Sequence, residues 1–170
     1  MRHIVFLSGA GISAESGIST FRDAGGLWDR YNVMDVCSAE ALSRNRQFVL
    51  DFYNKRRREL ADKRLNAAHL MIAELQHEFP GRVLNITQNI DDLFEKAGCQ
   101  GTIHLHGELI KARCELCGYV WEIGYTDIVG TEHCPACGAS IATKSTFSSS
   151  KSPWIDSIFF NNNELALYRD

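Results

Sequence analysis

The sequence lacks an apolar run long enough to cross a bilayer, which takes about 20 consecutive apolar residues. The run near the N-terminus, Ile4 to Leu7, is also too short for the apolar region of a signal peptide. We therefore expect a cytoplasmic protein with no membrane partner.

An excess of positive charge is missing too. The 170 residues have a formal net charge of -3 and a pI near 6.1, whereas proteins held by nucleic-acid phosphates are basic. The charge therefore argues against a nucleic-acid partner. Internal repeats are absent, and a hydrophobic content of 45% suits one packed domain, or one domain with a small insert.

The first motif is a short apolar run that stops at Gly9-Ala10-Gly11 and continues into what reads as the first turns of a helix. Glycines let a backbone approach a phosphate, and a helix N-terminus offers free N–H groups and a positive dipole end. Ser13 or Ser16 adds a hydroxyl donor. The pattern predicts either a phosphate cradle or a strand, turn and helix with no ligand, because the glycine fingerprint is incomplete.

Helical patterns fill the next part of the chain. The sequence predicts a short helix from an N-cap at Ser38 to Ser43, a longer helix from about Arg46 to Leu60, and a third helix at 67–79. Asn66 is the expected N-cap of the third helix, and Pro80-Gly81 ends it. Its expected inward face consists of Ala67, Leu70, Met71, Leu75 and Phe79. His69 and His77 are interpreted as ordinary helix residues.

Two candidate binding features, one on the second helix and one in the loop before the helices, allow two interpretations each. Tyr53 and Arg56 lie three apart on the second helix, where a guanidinium beside a phenol can bind a carboxylate. The alternative, favoured by the residues alone, is that 55–58 is a solvated helix face. Arg22, in a polar Gly-broken loop, is either a surface cation or a partner for a phosphate or ribose.

Two further strand-like segments end in polar residues. The segment 82–87 leads into Gln88-Asn89-Ile90-Asp91-Asp92 and a short helix, and the segment 102–105 leads into His106-Gly107-Glu108. Together with the first motif they predict a parallel α/β sheet with ligands at the carboxyl ends of the strands. His106 is a candidate general base. Asp91 could equally be a carboxylate at a helix N-terminus.

The six cysteines divide into four that form a motif and two that do not. Cys114 and Cys117, then Cys134 and Cys137, are two C-x-x-C knuckles separated by residues 118–133. This spacing and ligand set predict one structural zinc ion in a closed four-thiolate site within a small ribbon. Cys37 and Cys99 are interpreted as free thiols.

Five motifs together resemble the sirtuins, which are NAD-dependent protein lysine deacylases. They are Gly9-Ala10-Gly11-Ile12-Ser13, Gly17-Ile18-Ser19-Thr20-Phe21-Arg22, Thr87-Gln88-Asn89-Ile90-Asp91, Leu105-His106-Gly107-Glu108 and the paired knuckles. The resemblance covers about residues 1–140. Tyr53-Asn54-Lys55-Arg56 resembles the bacterial branch that removes succinyl as well as acetyl groups.

The resemblance implies a reaction and a role for each motif. An acyl-lysine oxygen attacks the ribose carbon that carries nicotinamide, nicotinamide leaves, and His106 acts as base on a ribose hydroxyl. Acyl-ADP-ribose and free lysine result. The implied catalytic residues are His106, Asn89 and Asp91, and Tyr53 with Arg56 would bind the carboxylate of a succinyl-lysine. NAD would contact Gly9, Ala10, Gly11, Ser13, Arg22, Gln88, Asn89, Ile90 and Asp91.

The chain departs from the sirtuin pattern after Cys137. Sirtuins return to the sheet with a Val-Trp-Phe-Gly-Glu-like segment and later strands, none of which follows here. We expect an incomplete Rossmann-like NAD-binding part at 1–108, a zinc-binding module at 109–142 and a divergent Ser-rich tail at 143–170. The competing hypotheses are an inactive remnant that keeps zinc and partial nucleotide binding, and a zinc-ribbon interaction module.

Overall fold

The computed structural model of the protein describes residues 2–20, 32–37, 39–114 and 116–140. Ser38, Arg22 and the expected tail at 143–170 lie outside these residues. In chain order, the elements are β1 (His3–Ser8), a 3-10 helix (Ala10–Ser13), α1 (Val33–Val36), α2 (Ala39–Arg44), α3 (Arg46–Ala61), α4 (Ala67–Glu78), β2 (Arg82–Thr87), α5 (Leu93–Lys96), β3 (Ile103–His104), β4 (Lys111–Arg113) and β5 (Val120–Glu122).

The first three strands form a parallel sheet in the order β1, β2, β3. β1 pairs with β2 along its whole length, from His3 opposite Arg82 to Ser8 opposite Thr87. β3 adds a short pairing, with Thr87 opposite His104. The predicted α/β class with a parallel sheet is therefore confirmed, and the carboxyl ends of all three strands meet at one edge.

The helices agree with the sequence prediction to within a few residues, except that α1 was not anticipated. Asn66 caps α4 as expected, because its side chain accepts hydrogen bonds from the backbone N–H groups of Ala68 and His69. Asn45 caps α3 in the same way through the N–H of Phe48. A four-residue helix such as α1 spans one turn, which is too short for a periodic pattern to reveal.

The predicted inward face of α4 is wrong for three of its five residues, whereas Leu75 and Phe79 are half-buried. Ala67 is exposed, Leu70 and Met71 are 50% and 47% exposed, and the fully buried side chains are instead His69 and Ile72. Ile72 packs with Phe94 and Cys99, and the His69 ring meets the Phe94 ring edge-on at 4.9 Å. Apolar residues occur on several sides of α4, so periodicity alone does not select the face that the rest of the fold covers.

The segment after β1 also differs from the expectation. Ala10–Ser13 is a 3-10 helix whose bonds run from Ile12 N to Gly9 O and from Ala14 N to Gly11 O. The turn ends at Gly17, where φ is +75°, a value that side-chain-bearing residues rarely adopt. This single turn offers backbone N–H groups but lacks the long axial dipole of an α-helix.

The segment from β4 to residue 140 forms a small module attached to α3. β4 and β5 pair antiparallel, and Ala112 of β4 packs with Leu50 of α3 and with Ile128. Asn54 of α3 binds the backbone of Ile128 twice, donating to its carbonyl oxygen at 2.8 Å and accepting from its N–H at 2.9 Å. The module is thereby joined to the sheet-bearing part by hydrogen bonds as well as by apolar packing.

The alternative interpretation of 55–58 as a solvated helix face is only partly correct. Lys55 and Arg58 are exposed, but Arg57 is completely buried. Its guanidinium donates to the carbonyl oxygens of Thr126 and Leu109 at 3.1 and 3.4 Å, and to the side chain of Asn54. Burial lowers the pKa of Arg57 to about 10, which still leaves it cationic at neutral pH.

None of the helices in the described ranges combines the length and the apolar character that a bilayer crossing requires.

Candidate nucleotide site and metal site

The three parallel strands end level with one another, which brings the loops that follow them together. Ser8 at the end of β1 donates from Oγ to Thr87 Oγ1 at the end of β2, at 3.0 Å. Gln88 N then donates to Ser8 O, and Leu105 N donates to Thr87 O. The glycine turn, the turn after β2 and the His106 turn are thus neighbours in that order.

Ser13, Asn89 and Asp91 form a buried hydrogen-bonded cluster at these strand ends. Ser13 Oγ donates to Asp91 Oδ2 at 2.9 Å and accepts from Asn89 Nδ2 at 3.0 Å. Burial raises the pKa of Asp91, while the bonds from Ser13 and Leu93 oppose that rise. The cluster fixes two side chains of the β2 turn against the first turn of the chain.

His69 extends this cluster and corrects its interpretation as an ordinary helix residue. Its Nδ1 accepts from the backbone N–H of Asn66 at 3.2 Å, which places the ring proton on Nε2. Nε2 lies 3.5 Å from Ser13 Oγ and is oriented to donate to it. Burial lowers the pKa of His69, in agreement with a neutral ring. A proton-donor chain therefore runs from α4 through Ser13 to Asp91.

The backbone of the β2 turn is held at several points. Asn89 N donates to Thr87 Oγ1 at 3.1 Å, and Ile90 O accepts from Leu109 N at 2.8 Å. Gln88, by contrast, is exposed. Asn89 and Asp91 therefore have fixed positions, whereas the side chain of Gln88 faces solvent.

The glycine turn borders open space. A Cβ atom added at Gly9 or Gly11 would meet no atom of the described residues within 4 Å. Ala10 lies between the two glycines at the start of the 3-10 helix, and the last residue of that helix, Ser13, is completely buried. The backbone at both glycines is therefore not covered by other described residues, as the predicted cradle requires.

Two histidines at the end of β3 have different environments. His106 is exposed in the turn that follows the strand. His104 is buried, with Nδ1 2.8 Å from Asn89 O and Nε2 3.1 Å from Glu95 Oε1. His104 lies within the predicted strand segment 102–105, and no sequence motif marks it for a role.

Tyr53 and Arg56 lie on α3, one turn apart as predicted, with partners of their own. The Tyr53 hydroxyl donates to Cys37 Sγ at 3.6 Å, and burial raises the pKa of Tyr53. Arg56 pairs with Glu59 and lies over the Phe52 ring, 5.9 Å from its centroid. The Nε atom of Arg56 is buried without a hydrogen-bond partner.

The four motif cysteines converge. Their Sγ atoms all lie within 4.8 Å of one another, with 3.7 Å between Cys114 and Cys137 and between Cys117 and Cys134. A tetrahedron with Zn–S bonds of about 2.3 Å has S–S edges of about 3.8 Å. The cluster therefore has the dimensions of a four-thiolate zinc site.

Both knuckles share one backbone design, with a glycine turn directly after the second cysteine. Gly118 N donates to Cys114 O, and Gly138 N donates to Cys134 O, each at 2.8 Å. Both glycines have positive φ, +75° and +71°. The backbone N–H groups of Cys117 and Leu116 lower the pKa of Cys114 to about 7. These donors favour the thiolate form that a metal requires.

Sequence reasoning missed His69, His104 and Arg57 as organising residues. The only sequence signal for His69 is its place at the third position of α4, where it completes a capping box with Asn66. His104 and Arg57 acquire their partners from segments 15 and 69 positions away. No local pattern reveals such contacts.

Comparison with known proteins agrees with this architecture. A profile of the Sir2 family matches residues 9–161. An NAD-dependent protein deacylase of Campylobacter jejuni is 48% identical over 137 residues, which cover 81% of this chain and 58% of the relative. The chain thus spans somewhat more than half the length of this relative.

Solved structures show the same fold. A Sir2 homologue in complex with NAD is 38% identical and superimposes with a TM-score of 0.70, covering 82% of this chain and 54% of that one. A Sir2 protein with a deacetylated p53 peptide and 3'-O-acetyl ADP ribose is 28% identical, with a TM-score of 0.63 and coverages of 82% and 57%.

Fold and site together define the class: an α/β protein with a polar site at the ends of parallel strands and an attached four-cysteine module. The chain belongs to the Sir2 family.

Proposed function

We propose that this chain carries the catalytic face of an NAD-dependent protein lysine deacylase that uses acylated lysine proteins as substrates. The observation that carries the proposal is the Ser13, Asn89 and Asp91 cluster at the ends of adjacent parallel strands, with exposed His106 in the next loop. Membership of the Sir2 family supports the reaction class.

The geometry supports a separate binding role for each group of residues. NAD supplies a ribose carbon from which nicotinamide can leave. The Gly9, Ala10 and Gly11 turn, with Ser13, would hold the pyrophosphate through backbone N–H groups beside the open space. Arg22, outside the described residues, is proposed to assist.

Residues Gln88–Asp91 would hold the nicotinamide ribose and carboxamide, because they lie between the glycine turn and His106. Asn89 and Asp91 are already oriented by Ser13, so little rearrangement is needed when the nucleotide binds. His106 is exposed and is proposed to accept the proton of a ribose hydroxyl, as an imidazole does near neutral pH.

The zinc site would stabilise the module and take no part in the chemistry. Four thiolates fill a tetrahedral shell and leave no open position for a substrate or water. Cys114, Cys117, Cys134 and Cys137 would hold the ion.

The decisive experiment measures nicotinamide release from NAD by the 170-residue, zinc-loaded chain with acetyl-lysine and succinyl-lysine peptides. We expect release with both peptides and its loss in His106→Tyr, with His77→Asn on the exposed part of α4 as the matched control. A chain that binds ADP-ribose and zinc without turnover would contradict the proposal and favour the inactive remnant.

We further propose that Tyr53 and Arg56 recognise an acidic acyl group. Arg56 already holds one carboxylate, that of Glu59, and has an unpartnered Nε, so a succinyl carboxylate would find a guanidinium with a free donor. We expect Arg56→Met to reduce desuccinylation at least about tenfold more than deacetylation. Arg58→Met, which changes an exposed arginine on the same helix, is the control. Equal losses for both acyl groups would contradict the assignment.

A further inference from the structure

The buried ring of His104 lies directly behind the β2 turn. Its Nδ1 faces the carbonyl oxygen of Asn89 at 2.8 Å, and its Nε2 faces the carboxylate of Glu95 at 3.1 Å. The carbonyl oxygen has no proton to give, and neither does the Glu95 carboxylate while it is ionised. A neutral imidazole has one N–H and can donate to only one of them. With Glu95 ionised, both contacts form as hydrogen bonds only when both ring nitrogens carry protons, which makes His104 an imidazolium.

The surrounding charges favour the same state. Three carboxylates act on His104 from separate segments: Glu95 on α5, Asp91 in the β2 turn and Glu108 after β3. Burial alone would lower the pKa of His104, but the bond and charge of Glu95 outweigh it, so the pKa is raised. Burial alone would raise the pKa of Glu95, but His104 outweighs it and the pKa is lowered.

The bond to Asn89 is the one that loss of a proton would break. A carboxylate holds an N–H more strongly than a neutral carbonyl does, so the remaining proton stays on the side of Glu95. Asn89 O would then face a bare nitrogen lone pair. The same residue is anchored through its N–H to Thr87 and through its side chain to Ser13. The carbonyl is therefore the attachment of Asn89 that depends on pH.

We propose that His104 is a positioning residue whose protonated ring holds the Asn89–Asp91 turn in its ligand-binding conformation. The turn loosens at alkaline pH because His104 loses its proton, independently of His106. The effect of this proton on nucleotide binding rests on the proposed function. The effect on the turn does not.

The experiment is an NMR pH titration of the zinc-loaded chain with labelled histidine and backbone nitrogen. The His104 signals are assigned from their absence in His104→Asn. We expect both ring nitrogens to be protonated below a midpoint that lies above the ordinary 6.5. The Asn89, Ile90 and Asp91 amides should follow that midpoint. A midpoint at or below 6.5, or turn amides that do not change across the titration, would overturn the proposal.

Glu95→Gln tests whether the Glu95 carboxylate is the cause of the raised His104 midpoint. It removes the carboxylate, keeps a similar shape, and should lower the midpoint of both the ring and the turn amides. His77→Asn, on the exposed side of α4, should leave both unchanged. A turn transition that stays in place when the His104 midpoint moves would overturn the coupling.

Binding of ADP-ribose separates this inference from the proposed function. We expect the dissociation constant to rise at least about fivefold as His104 deprotonates, and bound ADP-ribose to raise the His104 midpoint by about 0.7 pH unit, since coupling is reciprocal. In Glu95→Gln the rise in the dissociation constant should begin at lower pH. An ADP-ribose dissociation constant that does not change across the His104 midpoint would overturn the inference. Absence of binding at every pH would contradict the proposed function, and the turn amides would still decide the inference.

Discussion

At the scale of single residues, the protein holds two buried histidines whose pKa values are shifted in opposite directions. His69 faces one donor and one acceptor, which suits a neutral ring, whereas His104 faces two acceptors, which suits a cationic ring. The difference arises from the partners alone, because both rings are buried within the same α/β core. Only the structure distinguishes them, since a histidine in a sequence does not reveal its partners.

The His104 and Glu95 pair gives stability a defined pH dependence. His104 has a raised pKa, so its contribution is complete below its ordinary 6.5 and is lost as pH rises through the folded value. Glu95 has a lowered pKa, so its contribution is complete above its ordinary 4.5 and is lost as pH falls through the folded value. The pair therefore stabilises most between about pH 4.5 and 6.5.

We expect Glu95→Gln to lower the free energy of unfolding by about 1 kcal/mol in that window, because Glu95 is partly exposed and screened. The loss should shrink toward both acid and alkaline pH. Urea denaturation across the pH range measures it. A difference between the proteins that does not vary with pH would contradict the ion pair.

At the scale of elements, α3 is attached to the cysteine module through buried polar groups. We expect Arg57→Met to lower the free energy of unfolding by about 3 kcal/mol, because the carbonyl oxygens of Thr126 and Leu109 and the side chain of Asn54 lose a buried donor. Arg58→Met is the matched control, because Arg58 pairs with Asp127 at the surface and should change stability by less than about 1 kcal/mol. Comparable losses would show that the buried contacts contribute little.

The caps of α3 and α4 provide a second comparison. The side chain of Asn45 makes one bond to its helix, accepting from the N–H of Phe48. Asn66 caps α4 and also donates to Ile12 O at 2.8 Å and Ser16 Oγ at 3.0 Å. We expect Asn45→Ala to cost about 1 kcal/mol and Asn66→Ala about twice that, measured by thermal unfolding. Equal costs would mean that the bonds from Asn66 to the segment after β1 add nothing.

At the scale of the whole molecule, the sequence was sufficient for features with local causes. Periodicity and caps located α3, α4 and β2, and cysteine spacing located the four-cysteine cluster. The register of β1 with β2 was not predicted. The buried face of α4 and the burial of Arg57 could not be predicted, because long-range packing determines which of several acceptable surfaces is covered. The acyl-binding role of Tyr53 and Arg56, the domain boundaries and the part played by Arg22 stay predictions.

We expect amide protection to depend on the metal in one part of the molecule and not in another. We expect chelation of zinc to abolish amide protection in residues 111–140, because four thiolates without a cation repel one another and few apolar side chains hold β4 and β5. Protection in β1 and β2 should persist. Hydrogen exchange followed by mass spectrometry separates the two regions.

Cys117→Ser should reproduce the effect of the chelator, and Cys99→Ser, at a buried free thiol outside the cluster, should leave zinc binding intact. Loss of protection throughout the chain would show that the parallel sheet cannot fold without the module.

The two bonds from Asn66 to Ile12 and Ser16 couple the beginning of α4 to the segment after β1. If the glycine turn binds phosphate as proposed, a helix whose first turn is bonded to the segment after that turn should respond to its occupancy. A fluorophore or exchange probe at the beginning of α4 would then act as an internal reporter of nucleotide occupancy, placed away from the chemistry and readable even in a variant that turns over nothing.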